Sequence, residues 1–344
     1  MKPVSIVSTG RYVPKDVEYT RDFALNEGLS QKNIDELAMD KVHVAKHEEP
    51  TDMAIKAANI AIEKAGVKPQ EIDVIVYSST MSDYLRWSDA AKVAHELGAI
   101  NAYAFRIEQF CCGGMAGIDF AYSKLKADED IKVVLVVCAD KFEKPIINRW
   151  TSASANYYGD GASACIVTRS EYGFEVKGTH AVTDGSFNHL WKIPVGGLKS
   201  PATAEDIRAN RFCSDSRKTA SEYLSDSGKR DALFNILGLN NKRVMMELLS
   251  RLNMDKSELD YMVLYNIGKE IMLKIIDIIG IDVNKTSQYI AKDYGHIGPT
   301  DIVFNLDLMT EEHKFKPGNK IMLFSAGAGF SWSSALLEFK GLSL

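Results

Sequence analysis

One pattern is written twice along this chain, and that limits the folds open to it. Apolar residues at helical spacing run over residues 53–65 and stop at Gly66. The segment Val67-Lys68-Pro69-Gln70-Glu71-Ile72-Asp73 follows, and then the apolar run Val74-Ile75-Val76-Tyr77. Much later a helical run over residues 244–249 leads into Met254-Asp255-Lys256-Ser257-Glu258-Leu259-Asp260 and the apolar run Met262-Val263-Leu264-Tyr265. Asp73 and Asp260 lie 187 positions apart, and the strand-like runs that begin at Lys132 and Lys320 lie 188 apart. Two matches at nearly one offset predict an internal duplication. The apolar runs are short, continuous and separated by helical patterns, as in sheets buried on both faces by crossover helices. The expected architecture is two α/β halves packed on each other, residues 1–170 and 171–344. The Gly159-Asp160-Gly161-Ala162 turn and the strand Ala164–Val167 close the first half. Residues 198–235, polar and poor in pattern, read as a lid-like insertion of short helices and loop.

Composition narrows the class. With 46% hydrophobic and 25% charged residues, 344 positions support a large core. The net charge of −5 offers no basic face, so nucleic acid is not expected as a partner. No run approaches the ~18 apolar residues of a membrane span. The first seven residues read as a short strand, their apolar run being too brief for a signal peptide. Five cysteines, an odd number with Cys138 and Cys165 in apolar runs, predict a reduced, cytoplasmic protein without a disulfide framework.

Two stretches carry chemistry. In Phe110-Cys111-Cys112-Gly113-Gly114-Met115, a strand expected over Ala102–Phe110 turns into a helix marked by Met115, Ile118, Ala121, Tyr122 and Leu125. A thiol at that turn faces unpaired N–H groups and the positive end of the helix dipole, which favour a thiolate nucleophile. The two glycines after Cys112 leave room for an acyl group to approach. The second stretch is Tyr294-Gly295-His296-Ile297-Gly298-Pro299-Thr300-Asp301, where a histidine stands between glycines ahead of an apolar helix. One repeat offset back from His296 is position 109, so a pseudo-twofold fold brings the histidine turn against the cysteine turn. One half then supplies a thiol and the other an imidazole, the pair that activates and reprotonates a sulfur nucleophile. Asp301 either orients the imidazole or stabilises the first turn of the helix. His43 and His47 stand at i, i+4 without a third ligand, and no metal site is expected. No phosphate-binding glycine loop is present.

With the Tyr158-Gly159-Asp160-Gly161-Ala162 turn and the C-terminal Gly327-Ala328-Gly329-Phe330-Ser331-Trp332, these motifs resemble the thiolase superfamily, and within it the β-ketoacyl-acyl-carrier-protein synthase III type. The resemblance spans nearly the whole chain. It implies a duplicated five-layered α/β/α/β/α sandwich, a homodimer, and no permanently bound cofactor, with an acyl-carrier-protein or coenzyme A thioester as substrate. The family's cysteine precedes a small residue and a glycine, which selects Cys112 as the acyl carrier. Its oxyanion donors are the backbone N–H groups of the cysteine and of the C-terminal turn, here Cys112 and Ala328. Condensing members carry a histidine and then, about thirty residues on, an asparagine. Here Asn266 precedes His296, an inverted order similar to that of non-condensing acyltransferases. The family's cofactor-stacking tryptophan and arginine are missing near residue 40, which favours a carrier protein over coenzyme A as donor. The resemblance implies an acyltransferase that loads Cys112 and passes the acyl group to a hydroxyl or amine on a small-molecule acceptor. His296 acts as base and Asn266 as auxiliary donor. A decarboxylative condensing enzyme and an inactive partner subunit are the alternatives.

Overall fold

The computed structural model describes residues 2–342; Met1, Ser343 and Leu344, at the outer ends of the two expected halves, lie outside the described residues. In chain order the elements are β1 (Val4–Tyr12), β2 (Asp16–Tyr19), α1 (Thr20–Phe23), α2 (Gln31–Leu37), β3 (Lys41–Val44), α3 (Pro50–Ala65), β4 (Val74–Ser78), α4 (Asp89–Leu97), β5 (Tyr103–Arg106), α5 (Gly113–Ala127), β6 (Val133–Asp140) and β7 (Gly161–Arg169). They continue as β8 (Phe174–Thr183), α6 (Ala204–Arg208), α7 (Ser216–Leu224), α8 (Ser227–Arg251), β9 (Tyr261–Leu264), α9 (Lys269–Ile279), α10 (Ala291–Tyr294), α11 (Asp301–Glu311), β10 (Lys320–Gly327) and β11 (Ser331–Phe339).

The strands run in the order β5-β4-β6-β7-β1-β8-β11-β10-β9. The two halves of this order join only where β1 meets β8, at Ser5–Glu175 and Ile6–Phe174. The strands matched by the repeat hold equivalent places: β4 and β9 pair in parallel with β6 and β10, which run antiparallel to β7 and β11.

Side chains alternating along each strand feed two different cores, because successive Cβ atoms point to opposite faces. Val74 and Val76 turn inward with Val134, Val136, Val263, Ile321 and Leu323, onto α5 and α11. Ile75, Tyr77, Val133, Leu135 and Val137 turn outward onto α3 and α4. In the second half Met262, Leu264, Met322 and Phe324 turn outward onto α8 and α9. Helices, sheet, helices, sheet, helices is thus the layer order, the five-layered α/β sandwich expected from the resemblance. The α5–α11 layer lies at the centre, which places the N-terminal turns of both helices at one buried junction.

Two boundaries differ from the sequence reading. The expected strand over Ala102–Phe110 ends at Arg106, and a one-turn helix, Phe110–Cys112, precedes α5. The polar insertion does not run as short pieces to 235. After α6 and α7 a single 25-residue helix, α8, starts at Ser227 with Asp226 as its cap. The insertion is fastened to the loop that follows β6 by Ser214 N to Ile146 O at 2.8 Å and Ser216 N to Ser152 O at 2.9 Å.

Candidate active site

The cysteine turn is held by its backbone. Phe110 takes a left-handed φ of 45°, which sets Cys111 and Cys112 facing different ways. Cys112 N–H donates to Gln109 O at 3.0 Å, and Ser325 Oγ donates to Cys111 O at 3.0 Å. Gly327, at the end of β10, lies flat against the turn: a Cβ there would stand 3.0 Å from Cys112 N and 3.2 Å from Cys111 N. The absent Cβ lets the C-terminal Ala328-Gly329 turn lie close against the cysteines.

Gly113 and Gly114 serve packing and do not keep an approach open. A Cβ on Gly113 would fall 1.8 Å from Ser78 Oγ, and one on Gly114 would fall 2.5 Å from Pro299 O. The histidine turn is thereby seated directly on the start of α5. Its pseudo-twofold mate is visible on the other side, where Gly298 packs on Asp140 at the end of β6 as the cysteine turn packs on Gly327 at the end of β10.

The two turns bring the thiol and imidazole together, and the sulfur involved is that of Cys111. Cys111 Sγ lies 3.0 Å from His296 Nε2, and His296 Nδ1 lies 2.6 Å from Asp301 Oδ2. Cys111 is half-buried, His296 and Asp301 are buried. Cys112, 2% exposed, points away and donates its thiol to Ser331 O at 3.3 Å. Burial pushes the Cys112 thiol up to about 12, well away from thiolate at neutral pH. The family criterion of a small residue and then a glycine fits Cys111-Cys112-Gly113 as well as Cys112-Gly113-Gly114; the side-chain geometry favours Cys111.

Asp301 faces the imidazole, and its other bonds go to backbone outside the first turn of α11. Its Oδ1 accepts Ile297 N–H at 2.8 Å, and its Oδ2 accepts Asn266 N–H at 2.7 Å as well as the imidazole. Burial alone would lower the His296 pKa, but the charges of Asp301 and Cys111 outweigh it and hold the imidazole well above its ordinary value. The carboxylate fixes the proton on Nδ1 and leaves Nε2 facing sulfur.

Asn266, 1% exposed, is spent on architecture. Its Nδ2 donates to Gly295 O at 2.9 Å, and its Oδ1 accepts from Asn305 Nδ2 at 2.8 Å. Asn305 also donates to Leu264 O at 2.7 Å and so ties α11 to the end of β9. The Tyr158-Gly159-Asp160-Gly161 turn completes the frame. His296 N donates to Tyr157 O at 2.8 Å, and Gly159 N donates to His296 O at 3.0 Å. Asp160 accepts Ala45 N, Phe142 N and the guanidinium of Arg149 within 2.8–3.2 Å.

His43 takes no part: its Nδ1 donates to Pro14 O at 2.7 Å and its ring stacks on Tyr294. Among the described residues there is no cluster of three metal-binding side chains, and no helix is long and apolar enough to cross a membrane. Two open surface depressions, of about 410 Å³ against the insertion and about 600 Å³ around Tyr19 to Lys41, are lined by neither Cys111 nor His296.

Comparison with known proteins agrees with the fold. Residues 105–185 match the 3-oxoacyl-[acyl-carrier-protein] synthase III family, and residues 249–339 match the C-terminal region of the same family. A β-ketoacyl-[acyl-carrier-protein] synthase III of Campylobacter fetus is 30% identical over 99% of this chain and 100% of its own. The 3-oxoacyl-[acyl-carrier-protein] synthase III of Aquifex aeolicus superposes with a TM-score of 0.80 at 24% identity, covering 98% of this chain and all of that one. A structure described as the acyltransferase ChlB3 superposes with a TM-score of 0.83 at 20% identity, covering 99% of this chain and 98% of that one. A duplicated sandwich whose two central helix turns bring a cysteine onto a histidine, with relatives matched from end to end, leaves one assignment: the chain belongs to the 3-oxoacyl-[acyl-carrier-protein] synthase III family of the thiolase superfamily.

Proposed function

We propose that the protein is an acyltransferase that carries its acyl group as a thioester on Cys111 and delivers it to a hydroxyl or amine acceptor. The observation that carries this reading is the line Cys111–His296–Asp301, at 3.0 and 2.6 Å. In the first step His296 Nε2 takes the thiol proton, the sulfur attacks the donor carbonyl, and the proton passes to the leaving thiol of the carrier. In the second step Nε2 takes the proton of the acceptor, which attacks the thioester, and Cys111 leaves as the thiol. Asp301 keeps the imidazole in the tautomer that both steps need. The oxyanion donors are assigned to Cys111 N–H and Ala328 N–H, since the N–H of Cys112 is committed to Gln109. Two such donors contribute roughly 3–4 kcal/mol each to the transition state.

Condensation needs a second donor beside the imidazole to hold an enolate. Asn266 has its amide tied to Gly295 and Asn305, which supports transfer over condensation. An acyl-carrier-protein thioester is the preferred donor, with coenzyme A as the other. We read the enzyme as a cytoplasmic homodimer. Strand β5 ends the sheet with one edge unpaired and carries the exposed Tyr103, an edge suited to a second copy. Intact-protein mass spectrometry after incubation with a panel of acyl thioesters tests the chemistry. Cys111→Ser should abolish thioester labelling and Cys112→Ser should retain it; the reverse result would return the nucleophile to Cys112. Sedimentation showing only a 38.2 kDa species at micromolar concentration would remove the dimer.

A further inference from the structure

The segment Asn156–Gly159 runs along the site, with Tyr158 in an isolated parallel bridge to His296. Gly268 N donates to Ala155 O at 2.7 Å, and His296 N donates to Tyr157 O at 2.8 Å. Side chains alternate along it, as along any extended chain. Tyr157, wholly buried, turns into the core beneath α2 and packs edge-on against Trp150 at 5.1 Å. Asn156 and Tyr158 therefore face the other way, toward the cysteine–histidine junction. The Tyr158 ring stacks on Phe142 at 4.3 Å and tilts over the imidazole of His296 at 5.8 Å. Burial raises the pKa of its phenol and the nearby charge of Cys111 raises it further, while the side chain of Asn156 beside the hydroxyl pulls it down. The hydroxyl is thus a donor at any ordinary pH, and it lies close to both Cys111 and Asn156.

Asn156 is one of several buried polar side chains with an unpartnered atom, and it is the one whose side chain stands beside Tyr158. Its side chain is 6% exposed, yet its Nδ2 has no hydrogen-bond partner. A buried amide left unpaired costs about 1–3 kcal/mol, and buried polar groups in native proteins are nearly always satisfied. Asn266, also buried and only a strand away, has both ends of its amide bonded to protein. An N–H donor kept dry and unmet beside a nucleophile is what a site built to bind an acceptor atom presents.

We propose that Asn156 and Tyr158 form a polar clamp that accepts an oxygen of the incoming donor, a carbonyl or hydroxyl within a few bonds of the thioester. The inference rests on the reading of Cys111 as the acylated residue. It names the substrate class more narrowly: the group that enters beside Tyr158 is oxygenated and not a bare hydrocarbon. That oxygen can come from either side of the thioester, as a hydroxyl on the acyl chain or as an amide carbonyl on a pantetheine-like thiol arm.

Four synthetic donors separate the sources: butyryl and 3-hydroxybutyryl thioesters, each of pantetheine and of ethanethiol. The rate of Cys111 acylation is followed by intact-protein mass spectrometry for the wild type, for Asn156→Ala and for Tyr158→Phe, each variant checked by its thermal melt. Losing one hydrogen bond in a buried site should lower the preference for the oxygenated donor about tenfold. A drop confined to the ratio of 3-hydroxybutyryl to butyryl donors supports the clamp and assigns the oxygen to the acyl chain. A drop confined to the ratio of pantetheine to ethanethiol donors supports it and assigns the oxygen to the arm. Folded variants that leave both ratios at the wild-type value, or slow all four donors equally, overturn it. If neither these four nor the wider panel of acyl thioesters, carrier-protein donors included, acylates the wild type, the acyl-Cys111 reading itself fails and the clamp fails with it.

Discussion

Replacing Asp301 by asparagine tests whether the buried carboxylate sets the charge state of the cysteine–histidine pair. The side chain keeps its shape, and an amide oxygen can still accept from His296 Nδ1. What is lost is a negative charge 2.6 Å from that nitrogen. Between charge centres about 4 Å apart, at the effective dielectric of about 20 that suits protein sites, the interaction is about 4 kcal/mol, or about three pKa units. The sign follows from the structure. In the wild type Asp301 and Cys111 outweigh burial and hold the imidazole pKa well above its ordinary value, which makes Nε2 a stronger base toward the thiol. Without the carboxylate, burial weighs more heavily and the imidazole pKa falls, so Nε2 takes the thiol proton less readily. Alkylation of Cys111 by iodoacetamide, read by mass spectrometry between pH 5 and 9, should slow at pH 7 by about 100-fold or more, and its profile should move to higher pH. Acyl transfer should fall at least as far, since the wrong tautomer then competes. A folded Asp301→Asn enzyme with the wild-type alkylation profile would show that the carboxylate only braces Ile297 and Asn266, and that the ion pair plays no part in reactivity.

Three further outcomes follow from the same junction. Asp140, wholly buried, has a carboxyl pKa raised to about 7, because burial outweighs the hydroxyl and N–H donors on its Oδ1. Its folded pKa lies above the unfolded value of about 3.9, so stability falls as pH rises from about 4 to 7; thermal melts at pH 5 and 8 should differ less in Asp140→Asn than in the wild type. His296 works in the same direction at higher pH: the stability its raised pKa confers is complete below about 6.5 and is lost as pH rises through the folded value, so His296→Gln should flatten a denaturation series above pH 7. Gly114→Ala would drive a Cβ to 2.5 Å from Pro299 O, a backbone atom that cannot swing aside; it should cost roughly 1–3 kcal/mol in urea unfolding and slow acylation by displacing the histidine turn.

What could be read from the chain before folding, and what could not, divides along physical lines. Strands β4, β6, β9 and β10 were legible because each is an apolar run of one strand's length, stopped by polar residues, and the repeat set each against a partner. The start of helix α8 is hidden because it opens on the polar run Ser227–Asp231, which continues the polar insertion, and its Asp226 cap looks like any loop aspartate. The strand before the cysteines was drawn too long because Ile107 and Phe110 continue its apolar character after the backbone has left the sheet. The junction itself was legible to the level of the turn: one repeat offset from His296 leads to position 109, two residues from the sulfur it meets. It was not legible to the level of the side chain. Adjacent residues on a one-turn helix point about 120° apart, so a single φ at Phe110 decides which thiol faces the imidazole and which faces Ser331 O. No residue type at 110 announces a left-handed φ, least of all phenylalanine. The same limit hid Asn156, which reads as one more polar loop residue until the fold buries it and leaves its amide unmet. Composition and spacing report which segments meet; which atom is presented at the meeting depends on dihedral angles that only the packed structure fixes.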